Sequence, residues 1–155
     1  MSQNPWVEVL KANRNLSTGD EVRRWEEALA ELAEKPDGAL LGDLFLVFDD
    51  SAVHFEVMWG LLHFVEYFEI VPYISALTEV TPSLMSNARD WLRIFYARIL
   101  NHDAYRNYLK IMMKSLPEPN KQAIRQILDD IAHDDYRDME LKERLRTAIE
   151  FVLSD

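Results

Sequence analysis

Residues 49–68 read DDSAVHFEVMWGLLHFVEYF, and this stretch decides the expected fold. Its first three residues are predicted to cap a helix, because the side-chain oxygens of Asp49, Asp50 and Ser51 can accept hydrogen bonds from the N–H groups of a first turn. The residues that follow are apolar on nearly every side, which is typical of a buried helix. The stretch therefore predicts a central helix against which the other helices pack.

The less apolar positions of this predicted helix form a regular pattern. They are spaced four, three and four residues apart, so they lie on one narrow stripe of the helix surface. The stripe consists of Glu56, Gly60, His63 and Tyr67. We expect it to face solvent, a neighbouring helix or a partner, while the rest of the circumference is buried.

Helical patterns continue on both sides of this stretch. An amphipathic helix is predicted over residues 21–35, after the capping residues 17–20, because apolar residues recur at helical spacing: Val22, Trp25, Leu29 and Leu32. The apolar run 39–48 suits a buried strand or a short buried helix. We interpret it as helical because no second strand-like run exists to pair with it. Further helices are predicted over residues 69–80, 87–101, 104–116, 121–135 and 139–153, with breaks at 81–83 and 117–120.

The order of these segments predicts the fold class. Only four glycines and six prolines occur in 155 residues, which disfavours a turn-rich β fold. We expect a single all-α domain over residues 1–155, in which residues 1–16 form a short helix or an N-terminal arm. Short connectors join the helices in pairs. The predicted architecture is therefore a stack of antiparallel pairs of the HEAT or armadillo kind, or an irregular helical bundle.

Charge is unevenly distributed along the chain, whose net charge is −10. Residues 19–80 carry fourteen acidic and three basic side chains, residues 81–120 carry three and six, and residues 121–155 carry nine and six. The acidic front half would repel nucleic acid and anionic membranes and attract a basic protein. We therefore expect a protein partner, although solubility alone is a simpler explanation of the acids.

The expected location is the cytoplasm. Residues 1–15 show no apolar core followed by a small-residue cleavage site, and the longest apolar runs are too short to span a bilayer. The chain contains no cysteine, which suits a reducing compartment.

Residue types needed for catalysis or metal binding do not occur at useful spacings. His63 and Glu66 lie one helical turn apart, and Asp129 and His133 lie four residues apart, but each pair offers only two ligands. The chain has no thiol, no Gly-x-Ser-x-Gly motif and no glycine-rich phosphate loop. We expect no catalytic residue, no metal and no cofactor. A metalloenzyme that uses these four residues is the least favoured alternative.

One charged pair is expected to be structural. Arg98 lies in the apolar run 94–100, where an unpaired guanidinium would be costly, and Glu66 lies in an equally apolar setting. We predict a partly buried Glu66–Arg98 ion pair that holds two helices together.

Several of these residues also carry a family resemblance. A helix ending in His-x-x-Glu-x-Phe precedes a tryptophan-containing helix that closes on Arg-Ile-Leu-Asn. These positions are filled by His63, Glu66, Phe68, Trp91 and residues 98–101. Over about residues 50–115 the chain thus resembles the predominantly helical immunity proteins of bacterial polymorphic toxin systems, including contact-dependent growth inhibition.

The resemblance implies a protein without enzymatic activity that binds one cognate toxin domain and blocks its active site or its access to substrate. The acidic front half would suit a basic toxin, and nucleases are basic because they bind phosphate. We predict that the partner-binding residues lie in this half: Asp49, Asp50, Glu56, His63 and Tyr67. A helical-repeat adaptor that binds another cytoplasmic protein or peptide is the alternative.

Overall fold

The computed structural model describes residues 4–155, and all regular secondary structure in this range is helical. The predicted all-α class is therefore confirmed. Within the chain two compact units can be distinguished, with the division after Val80. The single domain and the stacking of helix pairs both stay predictions. Residues 1–3 of the predicted N-terminal arm lie outside the described residues, and the arm forms a helix from Pro5 to Ala12.

The described part of the first unit contains five helices and a 3-10 turn. They are α1 (Pro5–Ala12), α2 (Gly19–Glu34), the 3-10 turn (Gly38–Leu40), α3 (Leu41–Phe45), α4 (Phe55–Glu66) and α5 (Ile70–Leu84), whose last turn passes the division. Helix α2 packs against α1 and α4, and α4 also packs against α3. Helix α5 contacts α3 through the rings of Tyr73 and Phe45, whose centroids are 5.5 Å apart.

Helix α2 begins with the capping residues that its sequence predicts. The Thr18 side chain accepts a hydrogen bond from the N–H of Glu21 at 3.1 Å, and the Glu21 carboxylate accepts the Ser17 N–H at 3.1 Å. This reciprocal arrangement satisfies amides that have no partner inside the helix. The hydrogen bond from the Ser17 hydroxyl, and after it the one from the Ser17 N–H, lowers the pKa of Glu21.

Helix α4 begins at Phe55, so the prediction that Asp49, Asp50 and Ser51 cap it is wrong. The Asp49 carboxylate accepts the N–H of Ser51 at 2.8 Å and pairs with Nη2 of Arg14 at 3.3 Å. A local bond from a side chain to the backbone stabilises a turn in competition with a helix. The acidic pair therefore belongs to a turn that precedes α4.

The two sides of α4 follow the predicted pattern. Its buried side chains are Met58, Leu61, Leu62 and Val65. The four residues of the polar stripe are exposed: Glu56, Gly60, His63 and Tyr67. The helix is therefore buried on its apolar side, and its stripe faces outward.

The apolar run 39–48 is helical as far as Phe45, which agrees with its helical interpretation for most of its length. The 3-10 turn leads directly into α3, which buries Leu41, Leu44 and Phe45. Helix α3 ends at Phe45, and the rest of the apolar run forms a turn before Asp49.

The predicted break at residues 81–83 is wrong, since α5 continues through Pro82 to Leu84. Pro82 removes one backbone N–H donor from the final turn, and the helix ends two residues later. The neighbouring Thr81 is fully buried, and its hydroxyl lies 2.7 Å from the hydroxyl of Tyr96. A tertiary hydrogen bond thus holds a turn that local sequence preference disfavours.

The second unit continues with four helices in the described residues. They are α6 (Arg89–Leu100), α7 (Asp103–Ser115), α8 (Glu118–Ala132) and α9 (Met139–Leu153). Helix α6 packs against the other three, and α9 packs against both α7 and α8. The bounds of α9 equal the predicted ones, whereas α8 begins earlier than predicted, because Pro119 is tolerated in a first turn.

Long charged side chains connect the elements of this unit. Arg89 donates two hydrogen bonds to the Asp130 carboxylate, at 2.8 and 3.1 Å, and so joins α6 to α8. Lys110 of α7 donates to the carbonyl oxygens of Phe151 and Ser154, at 2.8 and 2.6 Å. These carbonyls end α9, where a cation interacts favourably with the helix dipole.

Candidate partner-binding surface

Three of the four residues of the exposed stripe border a groove between α4 and α2. The α4 side of the groove is lined by Gly60, His63, Phe64 and Tyr67. The α2 side is lined by Glu26, Leu29, Ala30, Ala33, Glu34 and Pro36. The volume is about 770 Å³, a size typical of ligand-binding pockets. We call this feature the α2–α4 groove.

Small side chains create the groove. A Cβ atom added at Gly60 would lie 3.3 Å from Cδ2 of Leu29, so the two helices approach closely at this point. Ala30 and Ala33 of α2 are both exposed. Their methyl groups leave open the space that longer side chains would fill. The floor therefore consists of apolar groups that solvent can reach.

The rim of the groove is acidic. Glu26 and Glu34 are exposed, and neither makes an ion pair within residues 4–155. No lysine or arginine is among the described residues that line the groove. An apolar floor is therefore combined with two carboxylates that make no ion pair within residues 4–155.

This charge belongs to a wider asymmetry. Residues 1–80 carry fifteen acidic and five basic side chains, whereas residues 81–155 carry twelve of each. The sequence of the first unit therefore accounts for the entire net charge of −10. A basic partner would be attracted to the first unit, and the second unit would contribute little net attraction.

Aromatic side chains cluster on the α4 side of the groove. Tyr67 is 71% exposed, and its ring packs edge-on against that of Phe68, with centroids 5.9 Å apart. Phe68 in turn packs edge-on against Phe64 at 5.5 Å. Nδ1 of His63 lies 3.9 Å from the Glu66 carboxylate. An exposed tyrosine held by other rings is the kind of residue that contributes strongly to binding at protein interfaces.

The structure separates the predicted contact residues into two groups. His63 and Tyr67 border the α2–α4 groove. Glu56 lies in the first turn of α4, roughly 16 Å from Tyr67 along the helix axis, and Asp49 and Asp50 precede that turn. The five residues therefore do not form one compact site.

The three predicted contact residues outside the groove, Asp49, Asp50 and Glu56, differ in how exposed they are. The Asp49 side chain is only 13% exposed and is held by Arg14, so its observed role is to stabilise a turn. Asp50 is exposed, and Glu56 is 68% exposed beside His54, whose Nδ1 lies 3.5 Å from its carboxylate. Contact roles for all five predicted residues stay predictions.

The α2 wall of the groove is absent from the sequence-based prediction. Residues 26–34 read EEALAELAE, in which the exposed acids, Ala30 and Ala33 alternate with the buried Ala28 and Leu32. The signal that could have indicated this wall is the presence of two alanines, Ala30 and Ala33, on the exposed face of a helix where charged residues are usual. The sequence does not specify which other helix lies across from this face, because that depends on the tertiary structure.

The predicted ion pair between Glu66 and Arg98 contains one residue that is more exposed than expected. The Glu66 side chain is 21% exposed, but Arg98 is exposed. The cost of burying a guanidinium, which motivated the pair, therefore does not apply to Arg98. The Glu66–Arg98 ion pair stays a prediction.

Neither a cluster of metal-ligating side chains nor a helix able to cross a membrane occurs within residues 4–155. Asp129 and His133 contact each other, with Oδ1 3.3 Å from Nδ1. That nitrogen also lies 2.9 Å from the Asp129 carbonyl oxygen. This pair therefore resembles an ordinary contact near a helix end, as does the pair of His63 and Glu66.

The family model for immunity protein 30 matches residues 12–109. The match covers more than half of the chain and includes both walls of the α2–α4 groove. The chain therefore belongs to the immunity protein 30 family, and the resemblance to immunity proteins of polymorphic toxin systems is confirmed. No curated protein and no solved structure matches the chain.

Proposed function

We propose that this protein neutralises one cognate bacterial toxin by binding it stoichiometrically and covering its active site or its path to substrate. Membership of the immunity protein 30 family supports this proposal. The observation that carries it is the exposed, acidic α2–α4 groove in the unit that accounts for the net charge. The protein needs no catalytic activity and no cofactor for this function.

The toxin that this surface fits best is a basic nuclease. A nuclease carries lysine and arginine where it contacts phosphate, and an acidic protein surface competes for the same positive charges. Such a toxin, delivered by a neighbouring cell in contact-dependent inhibition, would act on RNA or DNA in the cytoplasm. We therefore place the immunity protein in that compartment as well.

Opposite charges would also accelerate capture. Electrostatic attraction raises association rates by about tenfold to a thousandfold, and dissolved salt screens it over about 10 Å at 0.1 M. Fast capture is useful against a toxin because each molecule that escapes can damage many substrate molecules. The association rate is therefore the quantity that tests the electrostatic part of the proposal.

The cognate toxin is sought first in the reading frame immediately upstream of this gene, and its C-terminal domain is produced for the test. Co-expression of the immunity protein should restore growth of cells that produce this domain, and the two proteins should co-purify in a 1:1 complex. The association rate should fall by about tenfold or more between 50 and 500 mM salt. Growth arrest in spite of co-expression, without a complex, would contradict the proposal and favour an adaptor for another protein.

A further inference from the structure

We infer that the α2–α4 groove receives a protein segment of the toxin in which an apolar side chain is flanked by lysine or arginine. This inference rests on the proposed function and specifies the part of the toxin that is recognised. Three features of the groove support it: the chemistry of its floor, the charge of its rim and the orientation of its two helices.

The floor of the groove selects an apolar side chain. Leu29, Ala30 and Ala33 present aliphatic groups from α2, and Phe64 presents an aromatic ring from α4. Removing such groups from water is favourable and roughly proportional to the area covered. A purely polar segment would cover the same groups without placing apolar atoms against them.

The rim selects positive charge beside that apolar side chain. Glu26 and Glu34 stand at the groove without an ion-pair partner in residues 4–155. Lysine or arginine of the toxin would pair with them at the edge of a covered apolar floor. Acidic segments and nucleic acid phosphate would be repelled by the same carboxylates.

The helix directions strengthen this selection. Helix α2 ends at Glu34 and α4 ends at Glu66, and the groove is lined by Pro36 and Tyr67, which follow these ends. The C-terminal end of a helix carries partial negative charge on its carbonyl groups. The last turn of α2 contains no basic side chain, and Lys35, the residue after it, lines a different cavity beside α1. The end of α2 therefore favours a cation at the groove, whereas the last turn of α4 already contains His63.

The first experiment fills the groove. Ala33→Trp should weaken binding of the catalytically inactivated toxin domain by about 100-fold, mainly through faster dissociation, because its indole would occupy the floor. Ala33 is exposed, so the thermal unfolding temperature should change little. Ala104→Trp is the matched control, since Ala104 is an exposed helical alanine in the second unit. It should bind the toxin as the wild type does.

The second experiment identifies the segment that enters. The chain contains no cysteine, so Ala30→Cys creates a unique site for a thiol-linked benzophenone crosslinker. Irradiation with the inactivated toxin domain should yield one major crosslinked toxin peptide that contains an apolar residue next to lysine or arginine. Ala104→Cys, labelled in the same way, should not crosslink to that peptide.

The outcomes separate this inference from the proposed function. If the wild type does not bind the toxin domain, the proposed function fails and the inference fails with it. If the wild type binds but Ala33→Trp binds equally well, the inference alone is wrong. Crosslinking to an acidic or uncharged toxin peptide, or to a second copy of this chain in the absence of toxin, would also overturn the inference alone.

Discussion

The two units of the chain use their charged side chains differently. In the second unit, Arg89 joins α6 to α8 through Asp130, and Lys110 binds carbonyl oxygens at the end of α9. At the groove of the first unit, Glu26 and Glu34 have no ion-pair partner within the described residues. Charges that satisfy each other contribute to stability, whereas charges that face only solvent are available to a partner. Substitutions at the groove should therefore affect binding, and substitutions at these contacts of the second unit should affect stability.

The largest expected effect is on toxin association. The double substitution Glu26→Lys and Glu34→Lys should slow association about 10- to 100-fold at low salt, because it reverses the field at the groove. The free energy of unfolding should change by less than about 0.5 kcal/mol, since both residues are exposed. Stopped-flow association and denaturant unfolding measure the two quantities.

The matched control for this variant is the double substitution Glu143→Lys and Glu150→Lys. Both glutamates are exposed on α9, and the change in net charge is the same. The control should retain most of the wild-type association rate. Equal slowing by the two variants would mean that the net charge, and not the groove, governs association.

The next effect is a loss of stability in the second unit. Tyr96→Phe removes the hydroxyl that lies 2.7 Å from the buried Thr81 hydroxyl, at a cost of about 1–2 kcal/mol. Burial raises the pKa of Tyr96, so this hydroxyl stays protonated at neutral pH. Denaturant unfolding should show the loss, and toxin binding should not change. Tyr136→Phe, which removes a less buried hydroxyl bonded to the Ile131 carbonyl, should cost less.

A smaller effect is expected at the ion pair between α6 and α8. Arg89→Ala should reduce the free energy of unfolding by about 0.5–1 kcal/mol, because the pair is bidentate but its members are 44% and 25% exposed. A double-mutant cycle with Asp130→Ala isolates the interaction. Weaker toxin binding by Arg89→Ala would show that the second unit also contributes to the binding surface.

The smallest effect concerns the start of α2. Glu21 has a lowered pKa, so its carboxylate contributes stability above its unfolded pKa, and this contribution is lost as the pH falls through its folded pKa. Glu21→Gln should therefore lower the unfolding temperature slightly at pH 7. The difference from wild type should disappear well below the ordinary pKa of 4.5. A difference that persists at low pH would indicate that packing, and not charge, is responsible.

Local sequence patterns predicted helix content well and helix ends less well. The capping residues of α2 and the bounds of α9 follow from short-range signals, and the structure agrees with both. Asp49 misled the prediction for α4, because its carboxylate serves a turn and the distant Arg14. Pro82 misled the prediction for α5, because the bond between Thr81 and Tyr96 holds the turn that a proline disfavours. At Asp49 a local bond to Ser51 and a distant pair with Arg14 together replace the predicted cap. At Pro82 the contact between Thr81 and Tyr96, fifteen residues apart, outweighs a local preference.

The sequence by itself determined which side of α4 faces outward. Its apolar and polar residues follow the helical period, and burial of the apolar side is favourable whichever helix covers it. It also determined the concentration of acidic residues in the first half of the chain. Only the tertiary structure decided that Ala30 and Ala33 of α2 line one groove together with His63 and Tyr67 of α4. Helical periodicity specifies the exposed face of each helix separately, whereas a groove requires two such faces to meet across about thirty residues of sequence.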